Sequence, residues 1–397
     1  MEKPVATNYT KFLGEVRVRI ANIIEEGKLG GPQIRMVRVA SALKGQVETL
    51  IIIPHANAEN LKDMCKEYKV QYRAMKLTRI TKEFGPALSY IIFSPWEILR
   101  LIFLFRREQI QLVHASGGSW QYKGVIAARL AGIPVVWHLN DTYMPRWLLF
   151  LFRLVNPFST GFIFASQRSK EYYQHFLSKK FQAVVPSTVD LSKFDPSKVY
   201  SGDDAVLEGL GSAPTIGTVA NINRIKGLDI LINAFAKARL IIPDLRLVIV
   251  GPVHKNQIKY FKRLSMIADQ LGVSEAIDWT GGRTDVRPIL ARIDVYVCSS
   301  NAESSPVSVW EAMAMARPIV STNVGDVPLH ITNGKQGFIV PVGDSDSIAK
   351  YVCELIKNPD LRMQMGISAR EAAEIFSPNN IAKLTLEIYR NIFNSKK

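Results

Sequence analysis

Three cysteines in 397 residues, Cys65, Cys298 and Cys353, are too few, too scattered and odd in number for a disulfide framework. They read as structural thiols of a reducing compartment. The opening "MEKPVATNYTKFLG" has no apolar core of a secretory signal, and no window of 18 apolar residues free of charge occurs. From these absences a cytoplasmic protein is expected. Zinc-finger spacing, an RNP-like strand and a basic heptad region are also missing, so nucleic acid is not an expected partner. Acidic residues are scarce in one half only: residues 1 to 200 hold 28 Lys and Arg against 15 Asp and Glu, whereas residues 201 to 397 hold 22 against 20. Almost all of the net charge of +15 therefore lies in the first half, which should meet something anionic, a membrane surface or a phosphorylated carrier.

What is present is ample apolar material: 47% of residues are hydrophobic, enough for two cores in a chain of this length. Short β-branched runs alternate with helical patterns, which implies an α/β chain with parallel sheets and crossover helices. The expected strands are 19–24, 47–53, 110–115, 133–139, 160–166 and 182–187 in the first half. In the second half they are 214–221, 245–251, 276–281, 295–300, 318–323 and 337–341. Between the halves, residues 189–214 are rich in Ser, Asp, Gly and Pro and read as a linker, with the domain boundary near 195. The reading is two Rossmann-like, doubly wound domains, 1–195 and 196–376, facing a central cleft. Two segments, "SPWEILRLIFLFRREQ" (94–109) and "PRWLLFLFRLVNPF" (145–158), mix Trp, Phe and Leu with Arg as interfacial helices do. Both are too short or too charged to span a bilayer. The alternative is that they are buried helices with snorkelling arginines.

In "ESSPVSVWEAMAMARPIV" (303–320), Pro306 suits a first helical turn, with Ser304 or Ser305 as the cap. The helix to Ala316 leaves only Ser308 and Glu311 polar, so it should be buried. Its first-turn amides form an anion site suited to a diphosphate. A carboxylate at Glu311 then needs partners, either ribose hydroxyls or a structural ion pair. In "GTVANINRIKGLDI" (217–230), Arg224 and Lys226 follow a strand and could counter the same diphosphate, or form a solvated loop.

In sequence order, Lys226-Gly227, "VIVG" (248–251), "GGRTDVRPILARIDVYVCSS" (281–300), Glu303 with Glu311 eight residues on, and "EAMAMARPIVSTNVGDVPLHI" (311–331) resemble the retaining glycosyltransferases of family 4, which have the GT-B fold. "EEGKLGGPQIRMVRVASAL" (25–43), "VHASGGSWQYKGVIAARLAGIPVVWHLND" (113–141) and "VVPSTVDLSKFDP" (184–196) resemble its first domain. "FSPNNIAKLTLEIYRNIF" (376–393) resembles its last helix, which crosses back onto that domain. The resemblance implies that Glu311 holds the nucleotide ribose and Glu303 the hydroxyls of the transferred sugar. It implies that Arg224 and Lys226 neutralise the diphosphate beside Ser305, Val307 and Ser308. Gly30 and Gly31 would let the first-domain backbone approach the donor phosphates or the acceptor, and His138 or Asp141 would face the transferred sugar. His138 could equally be a satisfied histidine at a strand end.

Three departures bear on the sugar pocket. Asn221 replaces the family's usual Arg, Ser304-Ser305-Pro306 replaces Gly-Phe-Gly, and Asn140 stands where the family often has His. The implied activity is transfer of a sugar from a nucleotide donor, a UDP- or GDP-sugar, to a glycan or lipid-linked hydroxyl acceptor, with the protein peripheral on the inner face of the cell membrane. A sugar-nucleotide epimerase or hydrolase, or a non-catalytic nucleotide-sugar-binding partner, would share these motifs. No metal or cofactor is expected: "GDSDS" (343–347) reads as a helix cap, and neither His254 nor His330 has a partner at ligand spacing.

Overall fold

The computed structural model describes residues 18–80, 84–177, 180–200 and 205–394. The opening "MEKPVATNYTKFLG" and residues 201–204 of the expected linker lie outside the described residues. The strands are β1 Val18–Ile23, β2 Val47–Pro54, β3 Tyr72–Met75, β4 Leu112–Ala115, β5 Val135–Leu139, β6 Gly161–Phe164 and β7 Phe181–Val184, then β8 Thr215–Val219, β9 Arg246–Val250, β10 Ile277–Gly281, β11 Val295–Cys298, β12 Ile319–Thr322 and β13 Gly337–Val340. The helices are α1 Gly31–Ala42, α2 Glu59–Glu67, α3 Phe84–Arg107, α4 Lys123–Leu130, α5 Arg146–Val155, α6 Gln167–Tyr173, α7 Ala205–Leu210 and α8 Leu228–Arg239. They continue with α9 Ile258–Gln270, α10 Arg287–Arg292, α11 Val307–Ala314, α12 Val327–His330, α13 Ser345–Lys357, α14 Pro359–Ala372 and α15 Pro378–Asn394.

Two compact units result, one of residues 1–188 with 378–397 and one of residues 189–377. The first holds a parallel sheet of order β3-β2-β1-β4-β5-β6-β7, the second a parallel sheet of order β10-β9-β8-β11-β12-β13. In each the earliest strand is central and the order reverses beside it, between β1 and β4 and between β8 and β11. Such a switch point opens a crevice at the strand carboxyl ends. Strands buried on both faces explain the unbroken apolar runs: β4 and β5 are buried throughout, as are β11 and β12. The last helix belongs to the first unit, where it packs on α1 through Ile381, Leu386, Tyr389 and Ile392.

Several expectations need correction. The boundary falls at Thr188, not near 195, because Val189 and Phe194 are buried in the second unit's core. β3 was not expected; none of its four residues is fully buried, Tyr72, Ala74 and Met75 packing only as partly buried side chains and Arg73 standing exposed, so its apolar signal is weak. The helix expected over 94–109 begins ten residues earlier and has 24 residues. Its stretch Ala87–Arg107 is long and apolar enough to cross a membrane by length and composition, contrary to the reading that this segment is too short or too charged. One face of α3 nonetheless packs into the first unit's core through Leu101, Leu104 and Phe105. Pro95 interrupts its hydrogen bonding, and the Ser94 hydroxyl donates to the carbonyl of Tyr90 at 2.5 Å in that turn.

Candidate active site

The switch point of the second unit is built from two loops strapped together. After β8, the Asn223 side chain accepts hydrogen bonds from the amides of Ile225 (3.0 Å) and Lys226 (3.2 Å) and so caps a 3-10 turn over Arg224–Lys226. Gly227 ends that turn at φ +58° and starts α8. A Cβ at Gly227 would lie 2.1 Å from the carbonyl oxygen of Ser299, so only glycine lets this turn touch the end of β11. From the other loop, Ser299 Oγ donates to the Lys226 carbonyl (3.0 Å), the Asn301 amide to the Ile225 carbonyl (2.7 Å), and Asn301 Nδ2 to the Arg224 carbonyl (2.9 Å).

Held this way, Lys226 Nζ sits 2.6 Å from Glu303 Oε1, and Ser300 Oγ donates to the same carboxylate oxygen at 2.7 Å. Both partners are half-buried, where such a pair is screened less than at the surface. Asn223, Ser300 and Asn301 were not singled out from sequence. The one local signal among them is Asn223 directly before the Arg-Ile-Lys-Gly turn.

The helix over 307–314 starts at Pro306 as its N-cap, with no capping side-chain bond, so neither Ser304 nor Ser305 caps it as expected. Instead the Ser305 hydroxyl accepts from Trp310 Nε1 at 3.1 Å, and the Ser304 carbonyl accepts from the Asp326 amide at 3.0 Å. Trp310 stacks on Phe376 with centroids 4.3 Å apart, which anchors the helix in the core. Val309, Trp310, Ala312, Met313 and Ala314 are buried, while Val307, Ser308 and Glu311 are half-buried. Glu311 thus lies on the half-buried face of the helix, with Val307 and Ser308, and not in the core. Ser308 accepts a hydrogen bond from Tyr296, 2.8 Å away on β11. Arg224 is exposed, its guanidinium 6.0 Å from the Tyr260 ring centroid. Asn221 is exposed. Asp344 of "GDSDS" caps α13 by accepting from the Ser347 amide at 2.9 Å.

In the first unit, Gly30 precedes α1 with φ −157°, extended backbone open to any residue, and Gly31 is the first residue of that helix. His138 is wholly buried on β5. Its Nδ1 lies 3.2 Å from Nε2 of His114, whose Nδ1 lies 2.8 Å from the Tyr389 hydroxyl of α15. Burial, with the nearby Arg35 guanidinium, pushes both imidazoles well below their ordinary pKa, so both are neutral. Asp141 is held by the Tyr173 hydroxyl and by Ser119 Oγ at 2.7 Å, and its burial pushes its pKa up. Sequence reasoning also missed Lys123, fully buried between Glu97 (2.5 Å) and Glu25 (3.7 Å).

The family model described as "Glycosyl transferases group 1" matches residues 207–372, and that described as "Glycosyltransferase Family 4" matches residues 29–193. The chain belongs to this glycosyltransferase family. Among curated relatives, D-inositol 3-phosphate glycosyltransferase of Corynebacterium urealyticum is 30% identical over 217 residues, 53% of this chain and 51% of the relative. The lipopolysaccharide core biosynthesis glycosyltransferase LpsE of Rhizobium meliloti is 28% identical over 174 residues, 44% of this chain and 48% of the relative. The chain thus spans about half the length of the curated relatives it matches. Anabaena Alr3699/HepE, solved in complex with UDP and glucose, superposes with a TM-score of 0.79 at 20% identity, covering 94% of this chain and 100% of the neighbour. A second structure of that protein holds UDP-glucose and gives a TM-score of 0.78 at 20% identity, over 94% of this chain and 100% of the neighbour. This likeness establishes the GT-B fold.

Proposed function

We propose that the protein is a retaining glycosyltransferase that moves a sugar from a nucleotide sugar, UDP- or GDP-linked, to a hydroxyl of a lipid-linked or growing glycan. The observation that carries this reading is the Lys226–Glu303 pair at the carboxyl ends of β8 and β11, beside the helix start at Pro306 that no side chain caps. Without donor, the cation and the carboxylate neutralise each other. With donor, Lys226 and the amides of Ser305, Val307 and Ser308 serve the diphosphate, and Glu303 turns to the sugar hydroxyls. Glu311, on the half-buried face of α11, serves the ribose.

Charge building on the diphosphate as the glycosidic bond breaks is what this cationic site stabilises, and only interactions stronger in the transition state raise the rate. The reading needs no metal. It is supported by the relatives named as glycosyltransferases and by the neighbour that binds UDP and UDP-glucose.

The acceptor setting is an anionic membrane face at the inner side of the cell membrane. α3 leaves Leu88, Ile91, Ile92, Trp96, Leu99 and Phe103 exposed along one stripe, with Ile91 at 71% and Trp96 at 68% exposure. α5 exposes Trp147, Phe150 and Leu154 beside Arg146 and Arg153. An apolar stripe flanked by arginines is what an interface of acyl chains and anionic headgroups binds. Thermal denaturation with UDP, GDP and UDP-glucose tests the donor site, since a ligand of the folded state raises the melting temperature. Lys226→Ala should slow transfer by about 10²–10³-fold, the scale of losing one charge-stabilising donor. Full transfer by that variant, or release of free sugar without any acceptor requirement, would sink the reading.

A further inference from the structure

The ladder between β8 and β11 runs only as far as the Gly217–Tyr296 pair, although β8 continues to Val219 and β11 to Cys298. Where the two strands part, at the switch point of the second unit, the phenol of Tyr296 stands in for the missing ladder. Its hydroxyl accepts from the Val219 amide at 3.3 Å and also lies 3.3 Å from the Val219 carbonyl, so one side chain serves backbone groups that the gap would leave unsatisfied. Tyr296 is buried, and burial pushes its pKa up, so the phenol keeps its proton.

That single proton sets the direction of the contact with α11. The Ser308 oxygen, 2.8 Å away, is nearer than the Val219 carbonyl and receives it. With a lone pair of Ser308 occupied in this way, the serine's own proton turns away from Tyr296. Among the described residues no acceptor takes that proton, and Ser308 is half-buried with Val307 and Glu311. Ser308 stands in the first turn of α11, whose N-cap, Pro306, has no N–H to offer. A hydroxyl oriented like this can donate to an anionic oxygen, and hydrogen bonds to a charged acceptor are the stronger ones.

We propose that Tyr296 is a positioning residue of the donor site: it turns the Ser308 hydroxyl into a hydrogen-bond donor to the diphosphate of the nucleotide sugar. The relay runs from the Val219 amide through the Tyr296 hydroxyl to the Ser308 hydroxyl, each bond polarising the next. This assignment rests on the transferase reading above, to which it adds a side-chain ligand beside Lys226 and the backbone amides.

Isothermal titration of the full chain with UDP and with GDP fixes which diphosphate binds. The same nucleotide is then titrated into Ser308→Ala, Ser308→Thr, Tyr296→Phe and the Tyr296→Phe/Ser308→Ala double variant, and binding of its parent nucleoside is followed by saturation-transfer NMR. Ser308→Ala should weaken the diphosphate about tenfold, the scale of one hydrogen bond to a charged group, and Ser308→Thr should retain most of the affinity. Tyr296→Phe should weaken it about threefold in the unaltered chain and not at all in the Ser308→Ala chain, because both changes act on the same bond. Nucleoside affinity should not change in any variant. A tyrosine that only shaped the core would instead cost the same factor in both backgrounds and weaken the nucleoside as much as the diphosphate. That pattern, or unchanged diphosphate affinity in Ser308→Ala, overturns the relay while the transferase reading stands. Binding of neither diphosphate by the unaltered chain removes that reading, and the relay with it.

Discussion

The two units share a doubly wound parallel sheet and differ in where they put charge. The first buries ionisable groups, Glu25, Glu97, Lys123, His114, His138, Arg35 and Arg38, while exposing apolar side chains on α3 and α5. In the second, the buried polar groups are mostly hydroxyls, Thr215, Thr218, Ser299, Ser300, Ser321 and Thr322, and its ion pairs sit half-exposed at strand ends. A hydroxyl satisfied by a backbone carbonyl, as Thr322 Oγ1 is by the Ser300 carbonyl at 2.7 Å, costs little to bury; a charge does not. The second unit is therefore a stable frame whose chemistry stands at its rim. The first carries polar interactions within its core, and its stability should follow pH.

The largest effect expected is in the second unit. Gly227→Ala forces a Cβ against the Ser299 carbonyl in a left-handed turn and should cost about 3 kcal/mol or more, with loss of nucleotide stabilisation. The matching change in the first unit, Gly45→Ala at φ +85° with open space around it, should cost about 1 kcal/mol, and calorimetric melting separates the two. Equal costs would show that backbone conformation, not the contact between the two loops, rules the site.

Next comes Glu25. Burial raises its pKa from 4.5 to about 7, so the folded chain binds a proton that the unfolded chain releases. Stability from that proton is full below pH 4.5 and is lost as pH rises to 7, by about 3 kcal/mol. Glu25→Gln should flatten this fall in urea melts at pH 5 and pH 8. The neutral histidines act with opposite sign, since their depressed pKa makes the fold lose stability as pH drops below 6.5. The smallest effect is expected at Arg246, which forks onto Asp278 with bonds of 2.8 to 3.2 Å at the edge of the second sheet. Arg246→Ala should cost about 0.5–1 kcal/mol, nearly independent of pH between 6 and 8. A cost comparable to that of Glu25 would erase the contrast between the units.

Element type was legible because it is local. Short β-branched apolar runs and the turns between them marked twelve of the strands, and Pro306 marked the start of α11 within a residue. β3 escaped because three of its four residues are polar or small, and α3 was read short because Pro95 looks like a boundary. The resemblance to family 4 placed Glu303, Glu311, Arg224 and Lys226 in one site before any coordinates. It could not show that Lys226 and Glu303, 77 residues apart, neutralise each other, nor that Asn223 and Asn301 strap the loops that carry them.

The sequence by itself determined the charge imbalance between the halves, through composition, the α/β architecture, through the alternation of strand and helix patterns, and the glycosyltransferase family, through the resemblance of its ordered motifs. Only the tertiary structure decided that Lys123 lies between Glu25 and Glu97, that a cavity opens beside them, and that α3 turns its apolar stripe outward. Those facts depend on which distant segments a sheet brings side by side, and contacts across such separations leave no period in the chain that forms them.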